Sequence, residues 1–456
     1  MPDQRLEEDS LGSMELPRTC LWGIHTQRAM DNFPISGIPL SLFPEFIRAL
    51  AWVKKAGARA NHGLGELSAE KTRVIEEVCD EIIEGRWHDA FRVDMIQGGA
   101  GTSTNMNANE VIANLGLLKM GFKPGDYARL HPNDDVNRSQ STNDVYPTAM
   151  RLAIVSQCAA FIDAQQRLVD AFAERAEAFK DIRKIGRTQL QDAVPMTLGQ
   201  EFAGYATTIR EDVQIIERLS ILLLEVNLGG TAIGTRVNTP DGYAEAAVAE
   251  LAEVSGLPAK LATDLIEASS DTGAYVTFSS VLKRIAVKLS KICNDLRLLS
   301  SGPRSGFNEI HLPAVQAGSS IMPGKINPVI PEVVNQVAFQ VIGNDLTVTM
   351  AAEGGQLQLN AFEPIIVLNV LQSMRILMQA MDTLAERCVK GIEANVAQCE
   401  GALENSLVLA TMLVPHIGYA KAAKIAKTAL ADGASVADTA VKLGFGTREE
   451  IDAMLR

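Results

Sequence analysis

Cysteine is scarce in this chain of 456 residues: its six cysteines are scattered, and none form a CxxC pair. Zinc ribbons and redox pairs use such close spacing, so the sequence favours reduced cysteines that pack in a core. No apolar run reaches the about 18 residues that a membrane-spanning helix needs. The N-terminus, MPDQRLEEDS, is acidic and lacks the apolar segment of a secretory signal. These absences predict a cytoplasmic protein.

Positive charge is also in short supply, because 42 Lys and Arg are outnumbered by 55 Asp and Glu, giving a net charge of −13. A chain without a basic excess is a poor partner for nucleic acid or an anionic membrane. An acidic substrate is not excluded, since a site needs only local positive potential. The six histidines show neither HxH nor HExxH spacing. The sequence therefore predicts no metal site and no cofactor.

Proline becomes rare after Pro147, and the segments that follow predict long helices. Apolar residues three and four apart form one stripe from residue 155 to 179, interrupted only by Gln165. Similar long stretches lie at about 197–227, 262–300, 328–360 and 365–396, whereas the alternating patterns of strands are rare. The pattern predicts a mostly α-helical protein whose apolar stripes pack against each other and against other subunits.

The most distinctive segment is GSSIMPGKINPVIPEVVNQ, residues 318–336. Its prolines exclude the interior of a helix, so we expect a loop that runs into a helix near Pro331. Such a loop presents backbone N–H groups, hydroxyls and a lysine charge to an anion. A nucleotide phosphate loop does not fit, because Gly318 and Gly324 have five residues between them rather than four, and Ile326 follows the lysine. The alternative is a surface loop with an incidental lysine.

Three further segments concentrate short polar groups: GGAGTSTNMNANEVIANL at 98–115, HPNDDVNRSQSTNDVYPTAM at 131–150, and GRTQLQDAVPMTLGQEF at 186–202. The first predicts a glycine turn before a helix N-terminus that could receive an anion. The second precedes a long helix, and N-capping explains one of its residues but not the whole run. The third is expected between two long helices, where structural hydrogen bonding is the alternative to a site.

Together the four segments resemble the active-site regions of the aspartase/fumarase superfamily, in the same order and spacing, and GSSIMPGKINP resembles its signature loop. The resemblance extends from WGIHTQRAMDNF to the end of the chain. It is closest to aspartate ammonia-lyases through segments such as LLLEVNLGGTAIGT and VIGNDLTVTMAAEGGQLQLN. Class II fumarases usually carry histidine in place of Gln189 and threonine in place of Val194. In contrast, residues 131–150 and the tail LVPHIGYAKAAKIAK are similar to fumarases.

The resemblance implies three domains: a mixed, mainly helical N-terminal domain (1–142), a central domain of five long helices (143–396) and a small helical C-terminal domain (397–456). Four central domains would form a twenty-helix core in a homotetramer. Each active site would combine segments of three subunits, which explains why the four segments lie so far apart in sequence.

The resemblance also implies the chemistry. Ser319 would be the base that removes the Cβ proton of L-aspartate, through an aci-carboxylate intermediate, and ammonia and fumarate would be the products. The substrate-binding side chains would be Thr102, Ser141, Thr142, Asn143, Thr188, Gln189, Ser320, Lys325 and Asn327. Arg28, His131 and His311 are weaker candidates, with structural roles as their alternatives.

Other functions stay open at this point. The nearest is a class II fumarase that hydrates fumarate to malate on the same scaffold, and another is a lyase of an N-substituted aspartate. A remote alternative is a non-catalytic protein that reuses the scaffold, since a fold alone does not fix a function.

Overall fold

The computed structural model describes residues 4–455. It is 62% helical, which confirms the predicted mostly α-helical fold. The described part of the chain has 17 α-helices. They are α1 (Ile24–Asn32), α2 (Pro44–Gly63), α3 (Ala69–Ile83), α4 (Thr102–Lys119), α5 (Thr142–Ala178), α6 (Leu198–Arg210), α7 (Val213–Leu222), α8 (Tyr243–Ser255), α9 (Leu265–Ala268), α10 (Gly273–Leu299), α11 (Val329–Glu353), α12 (Glu363–Arg387), α13 (Val396–Asn405), α14 (Ala410–Ile417), α15 (Tyr419–Asp432), α16 (Val436–Lys442) and α17 (Arg448–Met454).

The strands in residues 4–455 form four two-stranded sheets. Three are antiparallel: β1 (Gln4–Asp9) with β2 (Gly12–Pro17), β3 (Arg183–Thr188) with β4 (Gln191–Thr197), and β7 (Ile310–His311) with β8 (Glu393–Ala394). The fourth pairs β5 (Glu225–Val226) with β6 (Lys260–Leu261) in parallel. The β3–β4 hairpin lies where the sequence indicated only a connection between helices. Its two-residue turn, Gln189–Leu190, has positive φ at both positions, as tight hairpin turns require.

Three of the five predicted helical stretches each contain one long helix, and two are divided. Residues 262–300 contain the short α9 before the long α10. Residues 197–227 form α6 and α7 instead of one helix, with a break at Glu211–Asp212. The Asp212 carboxylate, almost fully buried at this break, forms an ion pair of 2.9 Å with Lys288. A carboxylate inside the fold requires such a partner, and the apolar pattern alone does not reveal it.

The chain folds into two compact units. The first unit comprises residues up to Ile162, Gln214–Arg284 and Phe339–Ile376. In it α2 packs against α3 and α8, and α4 packs against α1 and α3. Every residue of α4 from Thr104 to Leu117 is buried. A helix enclosed on all sides is held in one position, so the first unit fixes the N-terminus of α4 at Thr102.

The second unit comprises Asp163–Val213, Ile285–Ala338 and the chain from Leu377 onward. Apolar residues of α13 to α17 form a buried cluster with Ile185 of β3. This cluster anchors the base of the β3–β4 hairpin. The predicted division into three domains stays a prediction.

Two helical segments of the described chain, Thr142–Ala178 and Glu363–Gly391, are long and apolar enough to cross a membrane. The expectation from the sequence of no segment with this property was therefore too strong. In both, 67% of the apolar window is buried inside the protein, as in the core helices of many folds.

Candidate active site

Thr102 begins α4 directly after a glycine turn. Gly101 has φ of 90°, and a Cβ at this position would lie 2.2 Å from the ring of the buried Tyr146. Only glycine fits both the backbone conformation and the contact. The Thr102 hydroxyl is exposed and donates to the Gly99 carbonyl at 2.8 Å. The turn therefore leads the chain into α4 and presents Thr102 at its N-terminus, where anions bind favourably.

Residues 141–143 form the N-terminus of α5. The Ser141 hydroxyl accepts the Asn143 backbone N–H at 3.2 Å, which confirms N-capping within this run. The Asn143 side chain donates to the Ala232 carbonyl at 2.8 Å, and the backbone carbonyl of Asn143 accepts from the Asn227 side-chain amide at 3.0 Å. All three side chains from Ser141 to Asn143 are half-buried.

The carboxylate of Asp144 binds the backbone around this N-terminus of α5. It is fully buried and accepts the backbone N–H groups of Ser141, Gly229 and Thr231 at 2.9, 3.0 and 2.9 Å. Burial raises the pKa of Asp144 to about 6, against the opposing effect of these donors. The carboxylate thereby ties the start of α5 to the segment after β5.

A cleft of about 380 Å³ opens at this point in the first unit. Its lining combines residues of the 131–150 segment with part of the segment before α8: Asn137, Ser139, Gln140, Ser141, Thr142, Thr231, Ala232, Val237 and Asn238. A volume of this order accommodates a small dicarboxylate. Asn105 of α4 reaches the same place, because its side-chain amide donates to the Thr142 hydroxyl at 3.2 Å. The first unit thus joins the Thr102 helix to residues 141–143.

In the second unit, Thr188 and Gln189 lie exposed at the tip of the β3–β4 hairpin. Buried ion pairs hold the hairpin below them. Glu309, with no exposed surface, is 2.7 Å from Lys184 and 2.6 Å from Arg187. Arg187 also lies over the Phe307 ring at 4.3 Å. The two polar residues are therefore held on a supported hairpin and not on a free linker.

The loop of residues 318–327, here called the serine loop, also belongs to the second unit. The Ser319 oxygen accepts the backbone N–H groups of Ile321 and Met322 at 3.2 and 2.8 Å. The Asn327 amide donates to the Gly318 carbonyl at 2.7 Å and closes the loop. Ser319 and Asn327 are half-buried, whereas Ser320 and Lys325 are exposed. The helix that follows, α11, begins at Val329, with Glu332 in its first turn as predicted.

Of the three weaker candidates, Arg28 and His131 have structural partners. Arg28 forms a two-pronged ion pair with Asp9 at 2.8 and 3.0 Å and donates to the Gly12 carbonyl. His131 accepts the backbone N–H groups of Asn133 and Asp134, each at 3.1 Å. His311 lies exposed in β7. Among residues 4–455, no three His, Cys, Asp or Glu side chains are grouped as a metal site requires.

Sequence reasoning missed several buried polar residues that support these candidates, including Lys54, Asn105 and Asp144. Lys54 had a usable signal. It lies seven residues after Ile47, four after Leu50 and three after Ala51 on α2, so the helical period places it on the buried apolar face. Asn105 and Asp144 stood inside the polar segments, but nothing in the pattern separated them from their neighbours.

Comparison with known families gives two matches. A family described as "Lyase" matches residues 12–343, and one described as "Fumarase C C-terminus" matches residues 409–456. An aspartate ammonia-lyase of Pseudomonas aeruginosa is 58% identical over 95% of this chain and 91% of its own length. An aspartate ammonia-lyase of Escherichia coli K12 is 54% identical over 98% of this chain and 94% of its own.

Solved structures are similar over nearly the whole chain. A Brucella melitensis crystal structure described as fumarate lyase:delta crystallin bound to cobalt has a TM-score of 0.97 and 59% identity. It covers 99% of this chain and 98% of its own. A class II fumarase of Schistosoma mansoni has a TM-score of 0.93 and 33% identity, with the same coverage of 99% and 98%. The carbon–nitrogen lyase relatives are thus the more similar in sequence, although the fumarase backbone is nearly as close.

Proposed function

The chain belongs to the lyase family of aspartases and fumarases, as its sequence predicted, and on this premise we propose that it converts L-aspartate reversibly to fumarate and ammonia. The prediction of a carbon–nitrogen lyase is confirmed by the ammonia-lyases that are 53–58% identical to it. The observation that carries the proposed mechanism is the Ser319 oxygen, which already accepts two backbone N–H groups.

The difficult step of this reaction is removal of a Cβ proton beside a carboxylate that is already anionic. The product of that step is an aci-carboxylate with two negative charges. Fixed donors that point at the developing charge lower such a barrier most effectively. The donors that we assign to the β-carboxylate are Thr102, Ser141, Thr142 and Ser320. Three of these lie in the first unit. The Ser141 and Thr142 hydroxyls accept hydrogen bonds there and keep their own protons for the substrate, whereas the Thr102 hydroxyl must exchange its bond to Gly99.

Ser319 is the base in this mechanism. A serine hydroxyl loses its proton only if its oxygen is stabilised as an alkoxide, and donors to the charged form favour that form. The backbone N–H groups of Ile321 and Met322 supply two such donors. Lys325 in the same loop supplies positive potential. As the alkoxide, Ser319 takes the proton from Cβ, and the electron pair of that bond moves into the β-carboxylate. The pair then returns to form the Cα–Cβ double bond while the C–N bond breaks and the protonated amino group leaves as ammonia.

The remaining groups bind the other end of aspartate. We assign Lys325 and Asn327 to the α-carboxylate, with help from Thr188, and Asn143, Thr188 and Gln189 to the amino group. In the present structure the Asn327 amide donates to Gly318. Substrate binding on this proposal requires the serine loop to exchange that bond for one to the carboxylate, as lids commonly do when they close.

We also propose a homotetramer with active sites shared by three subunits and a cytoplasmic location. Support comes from α11, where Phe339, Leu346 and Met350 lie on one face and are 63, 61 and 66% exposed. Large apolar side chains grouped on one helix face mark an association surface. Light scattering of the purified protein should give four times the mass of one chain.

The decisive assay mixes the enzyme with fumarate and follows the loss of its absorbance. Loss that requires ammonium, with aspartate as product, supports the proposal. Loss without ammonium, with malate as product, supports the second candidate, a fumarase. The match of residues 409–456 to a fumarase C-terminus is the observation that favours this second candidate. Consumption of fumarate only with a substituted amine would identify a lyase of N-substituted aspartates.

A further inference from the structure

Lys54 of α2 is a buried lysine that the mechanism above does not use, and burial lowers its pKa to about 7 against the attraction of Asp144. It has no exposed surface. Its ammonium group donates to the side-chain oxygens of Asn137 and Gln140 at 2.8 and 3.0 Å. Burying an ammonium group is costly unless it is hydrogen-bonded or paired. The free-energy cost of burying this lysine beside the proposed site indicates that it has a role other than packing.

The two acceptors belong to one turn, residues 136–141, and Lys54 fixes the orientation of both amides. With the Asn137 oxygen directed at Lys54, its nitrogen donates to the Gln140 carbonyl at 3.2 Å. The Gln140 nitrogen likewise donates to the Val136 carbonyl at 3.2 Å. The α2 backbone comes close at Gly57, where a Cβ would lie 2.7 Å from the Gln140 nitrogen. The turn is thus folded around the lysine ammonium.

A second residue of α2, Asn61, lies about two helical turns after Lys54 and bonds to the same turn. Its amide donates to the Arg138 carbonyl at 2.9 Å, and its oxygen accepts the Ser139 hydroxyl at 2.7 Å. Ser139 has φ of 59°, a left-handed conformation that costs a non-glycine residue energy and persists only when its surroundings impose it. Lys54 and Asn61 together impose it.

The lysine connects to the proposed substrate groups through Asn137. The Asn137 oxygen also accepts the Asn105 amide at 3.1 Å, and the same amide donates to the Thr142 hydroxyl at 3.2 Å. The buried carboxylate of Asp144, which binds the Ser141 N–H, attracts the lysine charge. The chain of contacts thus runs from one buried cation to the start of α5.

We propose that Lys54 is a positioning residue of the active site, whose ammonium fixes the turn 136–141 and thereby the substrate groups of residues 141–143. The inference deepens the proposed function and rests on it. An uncharged side chain of similar length leaves the Gln140 oxygen without its donor and leaves the Asn137 oxygen with the Asn105 amide alone. The amides then reorient, and the hydroxyls of residues 141 and 142 lose their alignment with the β-carboxylate.

The test compares Lys54→Met with Lys55→Met. Lys55 is the adjacent lysine on α2, and its ammonium pairs with Asp80 at 2.6 Å, away from the turn. For each purified variant we would measure the oligomeric state, Tm, kcat and KM for aspartate, and the Kd of the unreactive dicarboxylate succinate. Lys54→Met should lower kcat/KM about 100-fold and raise the succinate Kd about 10-fold, whereas Lys55→Met should stay within about 3-fold of the parent.

The succinate Kd separates positioning from a purely structural role. A variant that is merely less stable has fewer folded sites, which lowers kcat but changes neither KM nor Kd. Equal Kd values for Lys54→Met and the parent, or equal losses in both lysine variants, would overturn the inference. If Lys54→Met does not fold, Asn137→Ala decides, because it cuts the link to Asn105 and leaves the Lys54 bond to Gln140; an unchanged Kd there overturns the inference too.

Failure of the proposed function gives a different result. If the parent protein shows no ammonium-dependent turnover of fumarate, the assignment of aspartate as substrate fails. The succinate affinities of the parent and the two lysine variants still decide whether Lys54 positions a dicarboxylate site.

Discussion

The N-terminus of α5 and the serine loop are two halves of one proposed site, yet they are built in opposite ways. At the N-terminus of α5, hydrogen bonds hold a short turn in place before any substrate is present. They are made by the buried Asp144 and Lys54 and by several side-chain amides. The second is a largely exposed loop in which the side chains of Ser319 and Asn327 bond to the backbone of that same loop. The difference indicates that one half is preorganised for a developing charge, while the other can move to deliver the base.

The largest expected effect is on turnover. Ser319→Ala removes the base, and because Ser319 is only half-buried in a loop, the fold should not depend on it. We expect kcat to fall by about 10³-fold or more, with Tm and succinate binding unchanged. Ser320→Ala is the matched control in the same loop; it removes one proposed donor to the β-carboxylate and should lower kcat far less than Ser319→Ala does. If Ser319→Ala had the same kcat as the parent, Ser319 would not be the base, and the two halves of the site would not differ in the proposed way.

Glycine substitutions compare the rigidity of the halves directly. Gly101→Ala places a Cβ 2.2 Å from the buried Tyr146 ring at a φ of 90°. We expect a loss of unfolding free energy of about 3 kcal/mol. Gly324→Ala in the serine loop also has a positive φ, 81°, but its Cβ would meet open space, so the expected loss is about 1 kcal/mol. Chemical denaturation measures the unfolding free energy of both variants, and equal losses would contradict the expected difference in rigidity between the two regions.

The first unit, which contains the N-terminus of α5, should also make the stability of the protein depend on pH. Burial raises the pKa of the Glu363 carboxyl, at the start of α12, to about 8. The folded state then binds more protons than the unfolded state between about pH 4.5 and 8, so stability falls as pH rises through this window. Glu363→Gln removes the titration and should become the more stable protein towards pH 8, by up to a few kcal/mol.

Melting curves of Glu363→Gln and the parent at pH 5 and 8 test this expectation. Glu353→Gln, an exposed glutamate at the end of α11, serves as the control. A difference in Tm between parent and Glu363→Gln that is the same at both pH values would show that Glu363 does not titrate in this range.

The smallest effect is expected at Lys325. Lys325→Met removes an exposed charge from the serine loop, so Tm should stay the same. We expect KM for aspartate to rise about 10-fold, because a full charge that faces the α-carboxylate is lost. Steady-state kinetics at several salt concentrations measures this, and the salt dependence of KM should weaken in the variant. A KM equal to that of the parent would exclude Lys325 from carboxylate binding.

Much of the fold was readable from particular residues. The apolar stripe from 155 to 179 predicted the second part of α5, and the prolines of 318–336 predicted a loop before α11. The β3–β4 hairpin was not readable, because Arg183–Thr188 is short, charged and held by ion pairs to Glu309, more than a hundred residues away. Such distant partners leave no periodic trace in a local window.

The same limit applies to the site. Short polar residues beside glycine and proline, as at 102, 141–143 and 319–327, stand out in a sequence because helices and cores rarely contain them. The residues that support them are less distinct. The helical period places Lys54 on a buried face and Asn105 is one of several polar residues in its segment, but the role of each depends on partners on other elements.

The sequence by itself determined the helical class, the family and the segments that carry the chemistry, because these depend on the order and local spacing of residues. Only the tertiary structure decided which polar groups are fixed and which are free to move. That distinction comes from burial: a charge such as Lys54 or Asp144, once removed from water, must find its partners in the fold, and the bonds that satisfy it hold the turn in place.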